Sequence, residues 1–149
     1  MSGSPTVEDL VAGLGPAWDE VRAIAVAVPG ASWAVLLKGE LVIGVQHEAE
    51  EGRVVLSGEP GLIEDRHRLK VYESMLAFNA LARELGGMRL SLAGLKREPQ
   101  LTAEIAAEGL TGDGLRLAIA TIAGATRRWA EYIADPAASR PPPFLGIRG

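Results

Sequence analysis

Between Arg66 and Leu92 the chain reads RHRLKVYESMLAFNALARELGGMRLSL, and its apolar positions fall in two adjacent helical stripes. Val71, Met75, Phe78, Ala82 and Leu85 make one, and Leu69, Tyr72, Leu76 and Ala80 make the second. The charges are pushed to the ends, in Arg66, Arg68, Lys70 and Glu73 and then Arg83 and Glu84. A helix lying on one sheet needs one stripe. The second needs its own cover, for which another copy of the chain is the simplest, the alternative being a central helix buried within one chain. Gly86-Gly87 supplies a left-handed stop. Met88, Leu90 and Leu92 then alternate with Arg89 and Ser91 as a strand.

Taken in order, Thr6 with Asp9 forms a capping box for a first helix from Val7, with Leu10, Val11 and Leu14 on one face. Gly13, Gly15 and Pro16 weaken it. It either stops near Leu14 or resumes at Pro16 and runs through Trp18, Val21 and Ile24. From Ser32 the period becomes two. Trp33, Val35 and Leu37 form one strand, Leu41, Ile43, Val45 and His47 a second beyond a Gly39-Glu40 turn, and Arg53–Ser57 a third beyond a polar turn at 48–52. After the long helix, with Glu64 or Asp65 near its start, residues 96–100 read as a turn. Leu101, Ala103, Ile105 and Ala107 then alternate as a fifth strand. Asp113 can cap a last helix carrying Leu115, Ile119, Ile122, Trp129 and Ile133, which Asp135-Pro136 ends. The expectation is an α+β domain over residues 6–135, with a single antiparallel sheet of about five strands and three helices. The order is α-β-β-β-α-β-β-α, followed by a mobile Pro-rich tail over 136–149.

Composition narrows the function. With 149 residues, 48 % apolar and 23 % charged, the chain is an ordinary globular domain. A formal net charge of -4 opposes binding to nucleic acid or to an anionic membrane surface. No run of about 18 apolar residues spans a bilayer, and the first residues lack a secretory pattern, so a cytoplasmic location is expected. The absence of cysteine excludes disulfides and thiol chemistry. Only two histidines are available for catalysis. His47 lies beside Glu48, Glu50 and Glu51, but neighbours on a strand end point to opposite faces, so no metal is expected there. His67 sits in Arg66-His67-Arg68-x-Lys70, either an anion patch or a solvated helix end, and the second is simpler. No glycine run has the phosphate-loop form. No enzyme activity, cofactor or metal is expected.

The order of elements resembles that of the type III secretion chaperones of the Tir chaperone (CesT) family, over Val7 to Ile133. The segment Met75–Leu92 carries most of the likeness, through the Leu-x-x-Asn pattern of Leu76–Asn79, the glycine stop and the strand that follows. Gly109–Ile133 adds a matching last helix with an aromatic residue near its end. The resemblance implies a cytoplasmic, non-enzymatic homodimer that binds a protein partner and holds the N-terminal segment of a secreted effector in extended form before export. Dimerisation around the second helix and nearby strands would use Val71, Met75, Leu76, Phe78, Ala82 and Leu90. Partner grooves built from the first helix and the sheet would use Leu10, Leu14, Leu36, Val42 and Val55. The last three lie on the opposite strand face from Trp33, Val35, Leu37, Ile43 and Leu56. The stretch Asp19–Gly30 is more apolar and alanine-rich than the family pattern leads one to expect, and the Pro-rich tail has no place in it. The alternatives are a structural or regulatory homodimer of this fold without a secretion partner, or a small-ligand binder, which needs a deep pocket with converging polar groups.

Overall fold

A computed structural model describes residues 5–84 and 87–142. Helix α1 (Val7–Ala12) is closed by the expected capping box: the Asp9 amide donates to Thr6 Oγ1 at 3.0 Å, and the Thr6 amide donates to Asp9 Oδ2 at 3.1 Å. A short α2 (Leu14–Ala17) follows. The strands are β1 (Val21–Val28), β2 (Ser32–Leu37), β3 (Leu41–Glu48) and β4 (Arg53–Gly58). Helix α3 (Arg68–Ala80), strands β5 (Arg89–Ala93) and β6 (Glu98–Ala106), and helix α4 (Gly112–Ala134) complete the fold. The strands form one antiparallel sheet in the order β1-β2-β3-β4-β6-β5.

Several boundaries differ from the expectation, each for a physical reason. The stretch after α2 is neither loop nor helix. It is a sixth strand, in which Ile24 pairs with Val35 and Val26 with Trp33. Trp18 leaves α2 in extended conformation. Helix α3 stops at Ala80, because the amides of Leu81 and Ala82 turn back to the carbonyls of Phe78 and Asn79 at 3.0 and 3.1 Å. Gly87, at φ 80°, donates to the Ala82 carbonyl, while Leu85 and Gly86 lie outside the described residues. At the other end of α3, Asp65–His67 make a single 3-10 turn before the helix proper. Strand β6 starts at Glu98, inside the expected turn. Thr111, rather than Asp113, caps α4: its hydroxyl accepts from the Gly114 amide at 3.0 Å. The described residues include the tail only as far as Pro142.

The chain divides into two compact units, with β6 and α4 contributing to both. Residues up to Ser57 with Glu104–Thr121 make the first, and Gly58–Ala103 with the residues from Ile122 onward make the second. In the first unit Trp33, Val35, Leu37, Ile43, Val45, Val54 and Leu56 point to one strand face and are buried, as the period of two requires. Val7, Val11, Leu14, Leu115 and Ile119 add the buried helical side chains. In the second unit the core is aromatic. Trp129 meets Phe78 edge-on at 5.4 Å and Tyr132 at 5.6 Å, among Val71, Met75, Leu101 and Ile122. The Ser74 and Tyr132 hydroxyls bond at 2.8 Å, tying α3 to α4.

Candidate partner-binding surface

A sheet with two ends has two edges at which an extended chain can add. Here they differ. On β5 the Leu90 amide donates to Asn79 Oδ1 at 2.7 Å, and Asn79 Nδ2 donates to the Leu90 carbonyl at 2.8 Å. In an antiparallel strand both groups of one residue point to the same side. The Asn79 carboxamide therefore occupies the outward-facing pair of Leu90, in the way a neighbouring strand would. Asn79 thus blocks one outward-facing residue of the β5 edge.

Among the described residues no strand pairs with the outer side of β1, and this edge is apolar. Seven of its eight residues, VRAIAVAV, are apolar, and all but the half-buried Val21 and Ile24 are exposed. Val26 and Val28 are 59 % and 53 % exposed. Register shifts at Val21/Ala23 and Val26/Val28 bend the strand near both ends. Bulges of this kind blunt an edge, and Arg22 adds a charge, leaving Ala23–Val26 as the regular stretch.

Beside this edge lies an uncharged sheet face. Register places Ala23 against Leu36 and Leu36 against Val42, then Ala25 against Ala34 and Ala34 against Gly44. Of the expected partner-binding residues, Leu36, Val42 and Val55 all project to this face; Val42 is exposed and the other two half-buried. Gly44 keeps the face low, since a Cβ there would stand 2.6 Å from Ser57 Oγ. Toward one end the same face becomes ionic. Arg53 Nε reaches Glu48 Oε1 at 2.6 Å, and its Nη1 reaches Glu104 Oε1 at 3.1 Å. The hydrogen bond to Glu48 raises the Arg53 pKa above its ordinary value, with both carboxylates adding to the effect, so the cluster holds a permanent cation.

The other two expected partner residues stand apart from this face. Leu10 is half-buried and Leu14 fully buried. Both line a cavity of about 160 Å³ with Gly13, Ala17, Asp113 and Arg116. Of the five, Leu10 and Leu14 line this cavity and Leu36, Val42 and Val55 do not.

The expected dimer residues are divided by burial. Val71, Met75, Phe78, Ala82 and Leu90 are buried within the chain's own second unit. Leu76 alone of the six is exposed, at 70 %, and Leu69 of the same stripe is 74 % exposed. Tyr72 is half-buried and Ala80 exposed. One of the two stripes read from the sequence thus serves the core, and the other faces solvent.

Among the described residues, no three histidine, aspartate or glutamate side chains come together to hold a metal ion. No described helix is long and apolar enough to cross a membrane. The basic run before α3 is locally neutralised: Arg66 meets Glu64 at 3.3 Å, His67 stands 3.8 Å from the same carboxylate, and Arg68 pairs with Asp65. The site residues missed in the sequence are those of β1. The available signal was the alternation of Ile24, Val26 and Val28 with alanine, which also suits a helix.

Comparison with known proteins bears on the fold and the family. No curated protein sequence matches the chain. Among solved structures, the ExsC-ExsE complex superposes with a TM-score of 0.60 at 18 % identity, covering 72 % of this chain and 78 % of the other. The HopA1-SchA chaperone-effector complex gives 0.57 at 17 % identity, covering 72 % and 80 %. An uncharacterized protein from Methanothermobacter thermautotrophicus gives 0.56 at 18 % identity, covering 87 % and 96 %. At these identities the structures establish the fold. The model of the Tir chaperone protein (CesT) family matches residues 34–130, about two thirds of the sequence, from within β2 to most of α4, and the chain belongs to that family.

Proposed function

We propose that this protein is a non-enzymatic cytoplasmic chaperone that holds the N-terminal segment of a secreted effector in extended form. The observation that carries this reading is the apolar β1 edge, unpaired on its outer side among the described residues, at the opposite end of the sheet from the edge where Asn79 blocks Leu90. An extended segment satisfies its backbone groups by adding to Ala23–Val26. Its inward side chains rest on the low apolar face of Ala34, Leu36 and Val42. The Leu10–Leu14 cavity takes a further apolar side chain. Membership of a chaperone family, and the likeness to a chaperone-effector complex, support the choice of partner. The exposed stripe of Leu69, Leu76 and Ala80 supports a homodimer, because an apolar stripe of this kind on a helix calls for a cover.

The test is hydrogen exchange on the protein co-expressed with the N-terminal segment of a candidate secreted effector. Slowed exchange of the Val21–Val28 amides is expected, together with loss of the complex in Val26→Lys, which places a charge on the edge. Protection confined to other elements, or an undisturbed complex in Val26→Lys, refutes strand addition.

A second reading, a structural or regulatory homodimer with no secretion partner, is favoured by one observation. The exposed stripe of Leu69 and Leu76 on α3 is accounted for by a second copy of the chain alone, with no effector needed. A stable dimer that binds no candidate segment would select it.

A further inference from the structure

We propose that a second, basic groove, at the β5–β6 hairpin, binds an acidic and apolar peptide segment of a protein partner. The hairpin closes with Ala93 paired to Glu98 and the Arg97 amide donating to the Gly94 carbonyl at 3.2 Å. Gly94 and Arg97 both take positive φ, 75° and 54°. The turn turns Leu95 wholly out to solvent beside Lys96 and Arg97. These three residues and Arg68 line a cavity of about 250 Å³ whose other walls include Leu62, Tyr72 and Pro99.

The charge of this cavity runs against that of the chain. Three cations line it and no carboxylate does, whereas the whole protein carries a formal net charge of -4. Asp65 offsets Arg68 from outside the wall, which leaves Lys96 and Arg97 as the surplus. Leu62 and Leu95 are both exposed large apolar residues, so the groove offers hydrophobic contact beside its cations. An occupant that satisfies both carries carboxylates against Lys96 and Arg97 and a leucine-like side chain against Leu62 and Leu95. The size selects a peptide. At about 250 Å³ the cavity is smaller than the roughly 300–1,000 Å³ of small-molecule sites, and it suits one or two side chains of a longer chain. Three cations with a single aromatic ring are a poor nucleic-acid footprint. The groove is built entirely within the second unit, so it does not depend on the reading of the β1 edge.

The test uses the full chain and fluorescence anisotropy. The probe is a labelled, end-blocked peptide of alternating glutamate and leucine, with an alternating lysine and leucine peptide as control. The glutamate peptide is expected to bind, and to weaken severalfold as salt rises from about 0.05 to 0.2 M. Lys96→Glu/Arg97→Glu is expected to reduce binding about tenfold or more, by repelling two carboxylates. Arg22→Glu/Lys38→Glu, the same charge change on the first unit, is expected to leave binding unchanged, as is Val26→Lys. Equal weakening by the two double variants, or preference for the lysine peptide, overturns the proposal. So does a change in molecular mass of the Lys96→Glu/Arg97→Glu protein by light scattering, which would assign the groove to contacts between copies. Equally tight binding to phosphatidylserine vesicles also overturns it, in favour of a lipid surface.

Discussion

Leu76→Glu separates the two stripes of α3. Leu76 is 70 % exposed in the single chain. Fully burying a leucine side chain is worth about 1.5–3 kcal/mol, so covering the exposed part contributes about 1–2 kcal/mol per copy. A symmetric dimer counts this twice, giving about 2–4 kcal/mol, or roughly a 30- to 900-fold rise in the dimer Kd before carboxylate desolvation is added. Glutamate is nearly as good a helix former as leucine, and an exposed substitution costs within about 0.5 kcal/mol, so the monomer should unfold at an almost unchanged urea midpoint. Phe78→Glu is the contrast. Phe78 is 2 % exposed and packs edge-on against Trp129, so burying a carboxylate there should destroy the fold. Sedimentation velocity across a dilution series, with urea unfolding in parallel, reads both effects. A native protein that is monomeric throughout, or a Leu76→Glu protein that dimerises as tightly as the native one, refutes the reasoning.

Two further outcomes follow from single contacts. Asn79→Ala removes two hydrogen bonds to Leu90 and should cost about 1–3 kcal/mol in urea unfolding, while also promoting edge-to-edge association visible by light scattering. Asn79→Asp should also destabilise, because a carboxylate cannot donate to the Leu90 carbonyl; native stability in both variants would mean that Asn79 does not guard the edge. Gly44→Ala should destabilise by about 1 kcal/mol through the close approach to Ser57 Oγ, and Ser57→Ala should recover most of that loss. A double-mutant cycle with no coupling would refute the contact.

Local periodicity made much of this fold legible. Trp33, Val35 and Leu37, then Ile43 and Val45, then Val54 and Leu56 follow strict alternation, and each is buried on one strand face. The Thr6–Asp9 box and the two stripes of α3 were equally readable, since their partners lie within a few residues. What the sequence could not decide was the destination of each apolar face. Both α3 stripes looked fit for an interface, yet Trp129, about fifty residues on, covers Phe78 and makes its stripe core. Ala23–Val28 suits a helix or a strand by composition, and pairing with β2 settles it. Asn79 reads as one polar residue in a helix until Leu90 is brought beside it. Arg68, Lys96 and Arg97 belong to separate basic runs until the hairpin joins them around one cavity. A side chain's period along the chain is a local property and survives in the sequence. Its partner is fixed by strand register and helix packing across long separations, and only the tertiary structure supplies that.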